Sequence, residues 1–199
     1  IRKPPLVRGS LNIDLVRLAI RLSFIFNTIL AYKSVPRAVR TLKSIQALLQ
    51  RVWDQPRLSK FIRVNGNYYW SFTGPHWPST IQKNYLWDEL NRIEPFVQRK
   101  GGLRILYYAI TSSCPLACEH CFEWDRLNKA PKIDTARMIQ QIKEFQQRGV
   151  AQIQLTGGEP LVRFNDLVEI VSNISGDSDI WVLTSGYGIS EEKVKRLKA

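Results

Sequence analysis

Three cysteines, Cys114, Cys118 and Cys121, fall within eight residues of TSSCPLACEHCFEW, and the 199-residue chain has no others. Three clustered thiols can ligate a metal but cannot pair off into a closed disulfide framework. Zinc asks for a fourth protein ligand, and His120 is the one nearby candidate. Its adjacency to Cys121 makes it awkward for both to reach the same ion. An iron–sulfur cluster accepts thiolates at short spacings, and three thiolates on a four-iron cluster leave one iron open. An open metal position marks a site that binds something and acts on it. The plainer reading, a buried structural thiol group, sits badly with three thiols in one strand-end loop.

Two further runs have chemical content. In Gly157-Gly158-Glu159-Pro160, adjacent glycines let the backbone approach a ligand closely, and a carboxylate suits an ammonium group. Taken alone, a Gly-Gly pair between strand and helix is more often just a turn. Thr184-Ser185-Gly186 follows another strand-like run. The carboxylates Glu119, Glu123 and Asp125 beside the cysteines read as solvated rather than catalytic.

These runs need elements to position them. Residues 103–112 form a nearly continuous apolar, strand-prone run ahead of the cysteines. Residues 134–148 carry helical periodicity through Ile139, Ile142 and Phe145, closed by Gly149. Residues 150–156 and 179–184 read as strands, residues 165–175 as a helix, and Ser190 opens another helix. Strand and helix alternating at this spacing predict βαβ units on a parallel sheet. In such folds active sites gather at the carboxyl ends of the strands, so the loops CPLACEHC, GGEP and SGYG are expected on one face.

Cys114-x-x-x-Cys118-x-x-Cys121 after a first strand, followed by Gly157-Gly158-Glu159-Pro160 after the next, resembles the radical S-adenosylmethionine (radical SAM) enzymes. The resemblance covers roughly residues 103–199. It implies that Cys114, Cys118 and Cys121 hold a [4Fe–4S] cluster whose fourth iron chelates the amino and carboxylate groups of S-adenosylmethionine. It also implies cofactor contacts from Gly157, Gly158 and Glu159 at the methionine amino group. The position before the third cysteine is usually aromatic, its backbone facing the adenine, and here it is His120. Thr184-Ser185-Gly186 is similar to a Thr-Asn-Gly run of the family, with Ser185 in place of Asn. The implied reaction is reductive cleavage of S-adenosylmethionine to a 5′-deoxyadenosyl radical that abstracts hydrogen from a substrate. An external one-electron donor, flavodoxin- or ferredoxin-like, is implied as a partner. The implied fold is a TIM-like partial barrel of about six βα units, of which residues 102–199 hold the first half. The CFEW run and the long N-terminal extension resemble the branch that modifies peptides or proteins, or builds cofactors from peptides. In that branch auxiliary clusters lie in a C-terminal domain.

Residues 1–101 have a different grammar. Residues 1–104 carry 18 Lys and Arg against 5 Asp and Glu, whereas residues 105–199 carry 11 against 12. The basic excess thus belongs to the first half, and the change near Gly101-Gly102 is the expected boundary. Leu11, Leu15, Leu18, Leu22, Ile25 and Ile29 recur at three- and four-residue steps as a helical, core-facing stripe. After Pro36 a second stripe runs through Val39, Leu42, Ile45 and Leu49, flanked by Arg37, Arg40 and Lys43. The basic faces read as solvated charge, or as a surface for an anionic partner or membrane headgroups. No nucleic-acid-binding signature accompanies them. The Asn65-Gly66 pair predicts a hairpin over about residues 60–73. Tyr68, Tyr69, Trp70, Phe72 and Trp77 could line a binding surface, but are expected rather to pack that hairpin against the helices. Residues 79–94 read as a helix bent or ended by Pro95.

No apolar stretch reaches the roughly 18 residues of a membrane span. Asp14, Arg17 and Arg21 interrupt what would be a signal-peptide core. An odd number of grouped thiols points to a reducing cytoplasm, with peripheral membrane contact as an addition. The first residue is Ile1, and the closing SEEKVKRLKA reads as a helix in progress, so a piece of a longer protein is expected. Two other classes compete with the enzyme. A ferredoxin-like electron carrier needs a fourth cysteine and has no use for GGEP. A binding module stapled by zinc or iron–sulfur would explain the charge on an anionic partner, but not the apolar strands that run into glycine-rich loops.

Overall fold

A computed structural model describes residues 6–52, 60–71, 74–97 and 103–198. The chain divides into two compact units, Ile1–Gly102 and Leu103–Ala199.

In the first unit, helix α1 (Ser10–Tyr32) and helix α2 (Val35–Val52) are joined by Lys33 in the left-handed conformation. A short antiparallel hairpin follows, β1 (Ile62–Val64) and β2 (Asn67–Tyr69). Asn65 and Gly66 form its turn with φ of 50° and 86°, the positive values a type I′ turn requires. Helix α3 (Thr80–Ile93) starts at Ser79, whose hydroxyl accepts the Gln82 N–H at 3.0 Å. The hairpin's aromatic residues pack mainly on its own flanks. Trp70 stands edge-on to buried Phe61, Tyr68 pairs with Trp77, and Tyr69 lies beside His76. Phe72 lies outside the described residues.

The core of this unit forms where α1, α2 and α3 meet, around Tyr32, Ala38, Leu86 and Leu90. The Tyr32 hydroxyl donates to the Leu90 and Glu94 carbonyls, both at 3.0 Å, and the Trp87 indole donates to the Asn27 carbonyl at 3.1 Å. This packing corrects the expected orientation of α1. Leu11, Leu15, Leu18, Leu22 and Ile25 are exposed, and Ile20, Thr28 and Tyr32 are buried instead. The opposite face of α1 also carries apolar residues, Ile13, Val16, Ile20 and Phe24. Periodicity alone could not choose between two apolar faces. The hydroxyl and indole, which need fixed partners when buried, made the choice. In α2, Arg37 and Arg40 both reach Glu94, at 2.6 and 3.1 Å, so this part of the basic face is tied inside the unit.

The second unit is a three-stranded parallel sheet with helices between its strands. The strands are β3 (Ile105–Thr111), β4 (Gln152–Gly157) and β5 (Asp179–Val182), in the order β3-β4-β5. Among the described residues β4 is paired on both sides, and β3 and β5 on one side each. Helix α4 (Thr135–Gln147) connects β3 to β4, capped by Asp134 on the Arg137 N–H and closed at Gly149 with φ 84°. Helix α5 (Phe164–Asn173) connects β4 to β5, and α6 (Glu191–Lys198) follows with the Ser190 hydroxyl at its start. The α5 segment begins earlier than periodicity predicts. Glu159 caps a 3-10 turn over Pro160–Arg163, and Pro160 fits there because the first N–H of a helix has no partner to lose.

Ile153 and Leu155 of β4 are fully buried against Ile142, Leu167 and Ile170 of the two helices. Each such side chain is worth roughly 1.5–3 kcal/mol of transfer free energy. Alternation along the strands turns Tyr107, Ala109, Gln154, Thr156 and Trp181 to the other face. Among the described residues no helix is long and apolar enough to cross a membrane.

Candidate functional site

Parallel pairing brings the carboxyl ends of β3, β4 and β5 together, so their three following loops adjoin. The cysteine loop leaves β3 at a register shift between Ala109 and Thr111, where Thr111 comes to face Gly157. Irregularities of this kind re-aim a chain at a strand end. The Ser113 N–H then turns back onto the Thr111 hydroxyl at 3.0 Å. All three thiols are free. Cys118 is exposed, Cys114 and Cys121 half-buried, and the Cys121 N–H donates to the Cys118 carbonyl at 3.2 Å. Among the described residues no three His, Cys, Asp or Glu side chains gather around a point that one ion could occupy.

Gly157 and Gly158 seat the second loop against the first. The Gly158 N–H donates to the Thr111 carbonyl at 2.7 Å, and the Glu159 N–H to the Ser113 carbonyl at 2.9 Å. A Cβ on Gly157 would lie 2.2 Å from the Thr111 carbonyl oxygen, and one on Gly158 would lie 2.3 Å from that of Ser113. Gly157 also has φ 139°, a conformation side chains resist. Both glycines thus let β4's end lie directly against the cysteine loop's backbone.

Glu159 joins the third loop. Its carboxylate is buried and accepts four hydrogen bonds. The Leu161 N–H and Thr184 hydroxyl reach Oε1 at 2.9 and 2.5 Å, and the Ser185 N–H and hydroxyl reach Oε2 at 2.9 and 2.6 Å. A carboxylate has about four acceptor positions, so the set is full. Burial alone would raise its pKa, but the bonds from Ser185, Thr184 and the Leu161 and Ser185 amides outweigh it and hold the group below its ordinary value. This side chain ties the second and third loops together. Ser185, with both donors on Glu159, belongs to the same tie.

His120, Glu119 and Asp125 are exposed, and Glu123 is half-buried with its carbonyl accepting the Arg126 and Leu127 N–H groups. A cavity of about 760 Å³ opens at the strand ends, lined among others by Tyr107, Thr111, Phe122, Arg126, Lys132 and Thr156. That is an ordinary size for a small-molecule site. Phe122, next to Cys121, is 92% exposed. Behind the cavity, buried Arg163 donates to the Ile110 carbonyl at 2.8 Å and to Asp166 at 2.6 Å. Asp166 in turn accepts from the Thr135 hydroxyl at 3.1 Å, so one network fixes β3, α4 and α5. Neither this network nor Asn128, whose amide bonds the backbone of Cys114 through both its oxygen and its nitrogen, is announced by a sequence motif.

Residues 108–199 match the family model described as the radical SAM superfamily. The chain is 39% identical over 90 residues to a PqqA peptide cyclase of Methylocella silvestris, a match covering 44% of this chain and 24% of that protein. It is 31% identical over 102 residues to a GTP 3′,8-cyclase of Aquifex aeolicus, covering 48% of this chain and 32% of that protein. A PqqA peptide cyclase of Gluconobacter oxydans is 36% identical over 93 residues, covering 44% and 25%. The chain spans about a quarter to a third of the length of these curated relatives. No solved structure matches.

Proposed function

We propose that this chain, whose Leu103–Ala199 unit belongs to the radical SAM superfamily, is the cofactor-holding part of a radical SAM enzyme that acts on a peptide or protein. The observation that carries the reading is one hydrogen-bonded constellation of three strand-end loops. Gly158 and Glu159 are bonded to the backbone that delivers Cys114, and Glu159 is bonded to Thr184 and Ser185. The donor set fits a [4Fe–4S] cluster: three free thiols on one loop, each available to a different iron. Cys114, Cys118 and Cys121 would hold the cluster. Gly157 and Gly158 offer S-adenosylmethionine backbone rather than side chain, and His120 offers the backbone ahead of the third cysteine. Glu159 and Ser185 act by holding that backbone in place.

When bound, the cluster and S-adenosylmethionine supply a one-electron reductive cleavage that yields a 5′-deoxyadenosyl radical for hydrogen abstraction. The chain's own work is to bind, orient and shield. The cavity beside Phe122 and Thr156 provides a partly open space at the strand ends, with Arg126 adding positive charge for an anionic group. A parallel sheet is normally covered on both faces. Here α4 and α5 cover one face, and Tyr107 and Trp181 lie on the other. We assign that second face to the lumen of a partial (β/α)6 barrel, of which this unit forms the first half.

The peptide assignment rests on the similarity to PqqA peptide cyclases. The similarity to GTP 3′,8-cyclases favours, as a second reading, a role in cofactor biosynthesis. A flavodoxin- or ferredoxin-like donor would supply the electron, in a reducing cytoplasm that keeps the thiols free. For the first unit we propose peripheral contact with an anionic membrane through the exposed stripe of α1.

The full-length protein, reconstituted anaerobically with iron and sulfide and given dithionite and S-adenosylmethionine, is expected to release 5′-deoxyadenosine. Cys118→Ala should lose both the cluster and the product. A wild-type protein that forms neither would sink the enzyme reading.

A further inference from the structure

The cysteine loop is closed on itself by Asn128. Beyond Cys121 the backbone winds through successive turns. The Trp124 N–H donates to the Cys121 carbonyl at 3.3 Å, that of Arg126 to Glu123 at 2.9 Å, and that of Lys129 to Arg126 at 3.3 Å. This winding returns the chain to Cys114. There Asn128 adopts φ 60°, a left-handed conformation that asparagine tolerates better than most side-chain-bearing residues. Its Oδ1 accepts the Cys114 N–H at 2.9 Å, and its Nδ2 donates to the Cys114 carbonyl at 3.2 Å. Its own N–H donates to the Ser112 carbonyl at 2.9 Å.

One side chain thus satisfies both backbone polar groups of the first cysteine. Aspartate has no donor for the carbonyl, and serine has only one short oxygen to serve both groups. From the β4 side, Gly158 and Glu159 fasten the neighbouring carbonyls of Thr111 and Ser113. Cys114 therefore sits in a segment held from two directions, whereas Cys118 lies exposed further along the loop.

We propose that Asn128 is a positioning residue for the first thiolate of the cluster. It sets the backbone of Cys114 before iron arrives, so that less of the loop must be ordered when the cluster binds. It also occupies the Cys114 N–H, an amide beside a cluster ligand. While so held it cannot turn to a cluster sulfur, and hydrogen bonds to the sulfurs are among the factors that set the reduction potential of iron–sulfur centres. The inference rests on the radical SAM reading above, and its test separates the two.

The experiment compares full-length wild type, Asn128→Gly, Asn128→Asp and Cys118→Ala. Glycine keeps the left-handed backbone and removes both side-chain bonds. Aspartate keeps the acceptor and removes the donor. Without metal, amide exchange at Cys114 is expected to speed at least about tenfold in Asn128→Gly, with the unfolding midpoint unchanged. After anaerobic reconstitution and desalting, Asn128→Gly should retain less than half of the wild-type iron and sulfide. Its reduced cluster should give an altered electron paramagnetic resonance signal and a shifted midpoint potential. Asn128→Asp should recover part of the loading. If Asn128→Gly loads iron like wild type, with the same spectrum and the same exchange, the proposal is overturned and the enzyme reading stands. A general fall in the unfolding midpoint of the metal-free protein would make Asn128 a fold residue and overturn the positioning role. Wild type that loads no more iron than Cys118→Ala overturns both.

Discussion

Gly158 shows how little freedom single positions have where two loops touch. A methyl group there would meet the Ser113 carbonyl oxygen at 2.3 Å, and backbone on both sides leaves nothing flexible to yield. Gly158→Ala should cost about 1–3 kcal/mol or more, the usual range for overpacking. Gly176→Ala, with nothing within 4 Å of the added carbon, is the matched control and should be near neutral. Urea unfolding midpoints of the two variants decide the point. Such residues differ in how far the sequence discloses them. The cysteines and paired glycines are visible because their chemistry and spacing are unusual, yet the partner of the glycines was not. Their close approach is to Thr111 and Ser113, which only the β3–β4 register brings opposite them. Glu159 was visible as a carboxylate but not as a saturated one, because its donors Thr184 and Ser185 lie 25 and 26 residues away. Asn128 stood in an ordinary polar stretch and gave no signal.

Elements meet through ties of the same kind. Glu94, just beyond α3, accepts from Thr41, Arg37 and Arg40 of α2 at 2.6, 2.6 and 3.1 Å. The Thr41 and Arg37 bonds, with Arg40 adding to them, outweigh burial and lower its pKa from 4.5 to about 2. A depressed carboxylate pKa contributes stability that is fully present above the unfolded value and lost as pH falls through the folded one. The α2–α3 tie should therefore weaken as pH drops from about 4.5 towards 2. Urea midpoints measured between pH 7 and pH 2.5 should fall less steeply in Glu94→Gln, which starts lower at neutral pH. An equally steep fall would remove Glu94 from the account. The strands and helices of the second unit were legible because apolar runs and 3.6-residue periods alternate there without competition. The buried face of α1 was not, since both of its faces are apolar and polar partners on α3 selected one.

At the scale of the molecule, charge and apolar surface coincide in the first unit. Leu11, Leu15, Leu18, Leu22, Phe26 and Leu30 lie exposed along α1, and Arg21 and Lys33 are exposed on the same helix and at its end. A helix of this kind can lie in a lipid interface, its basic residues drawn to anionic headgroups. The full-length protein should float with phosphatidylserine vesicles, release as salt rises, and lose binding in Leu18→Asp/Leu22→Asp. No flotation at low salt would return the stripe to some other cover. The basic half was plain in the composition, but its division was not: Arg37 and Arg40 are spent on Glu94, leaving α1 as the interfacial candidate.

The two outer strands of the parallel sheet carry a practical consequence. β3 and β5 each present one row of amides and carbonyls that no strand among the described residues meets. Such rows are templates for any extended chain, including a neighbouring copy emerging from the ribosome or refolding at high concentration. On the barrel reading a further strand would meet β5, so the seven-residue β3 is the row at which aggregation during expression is expected to begin. Lowering the concentration of nascent chain, or co-producing a segment able to pair with that edge, is the remedy this sheet calls for.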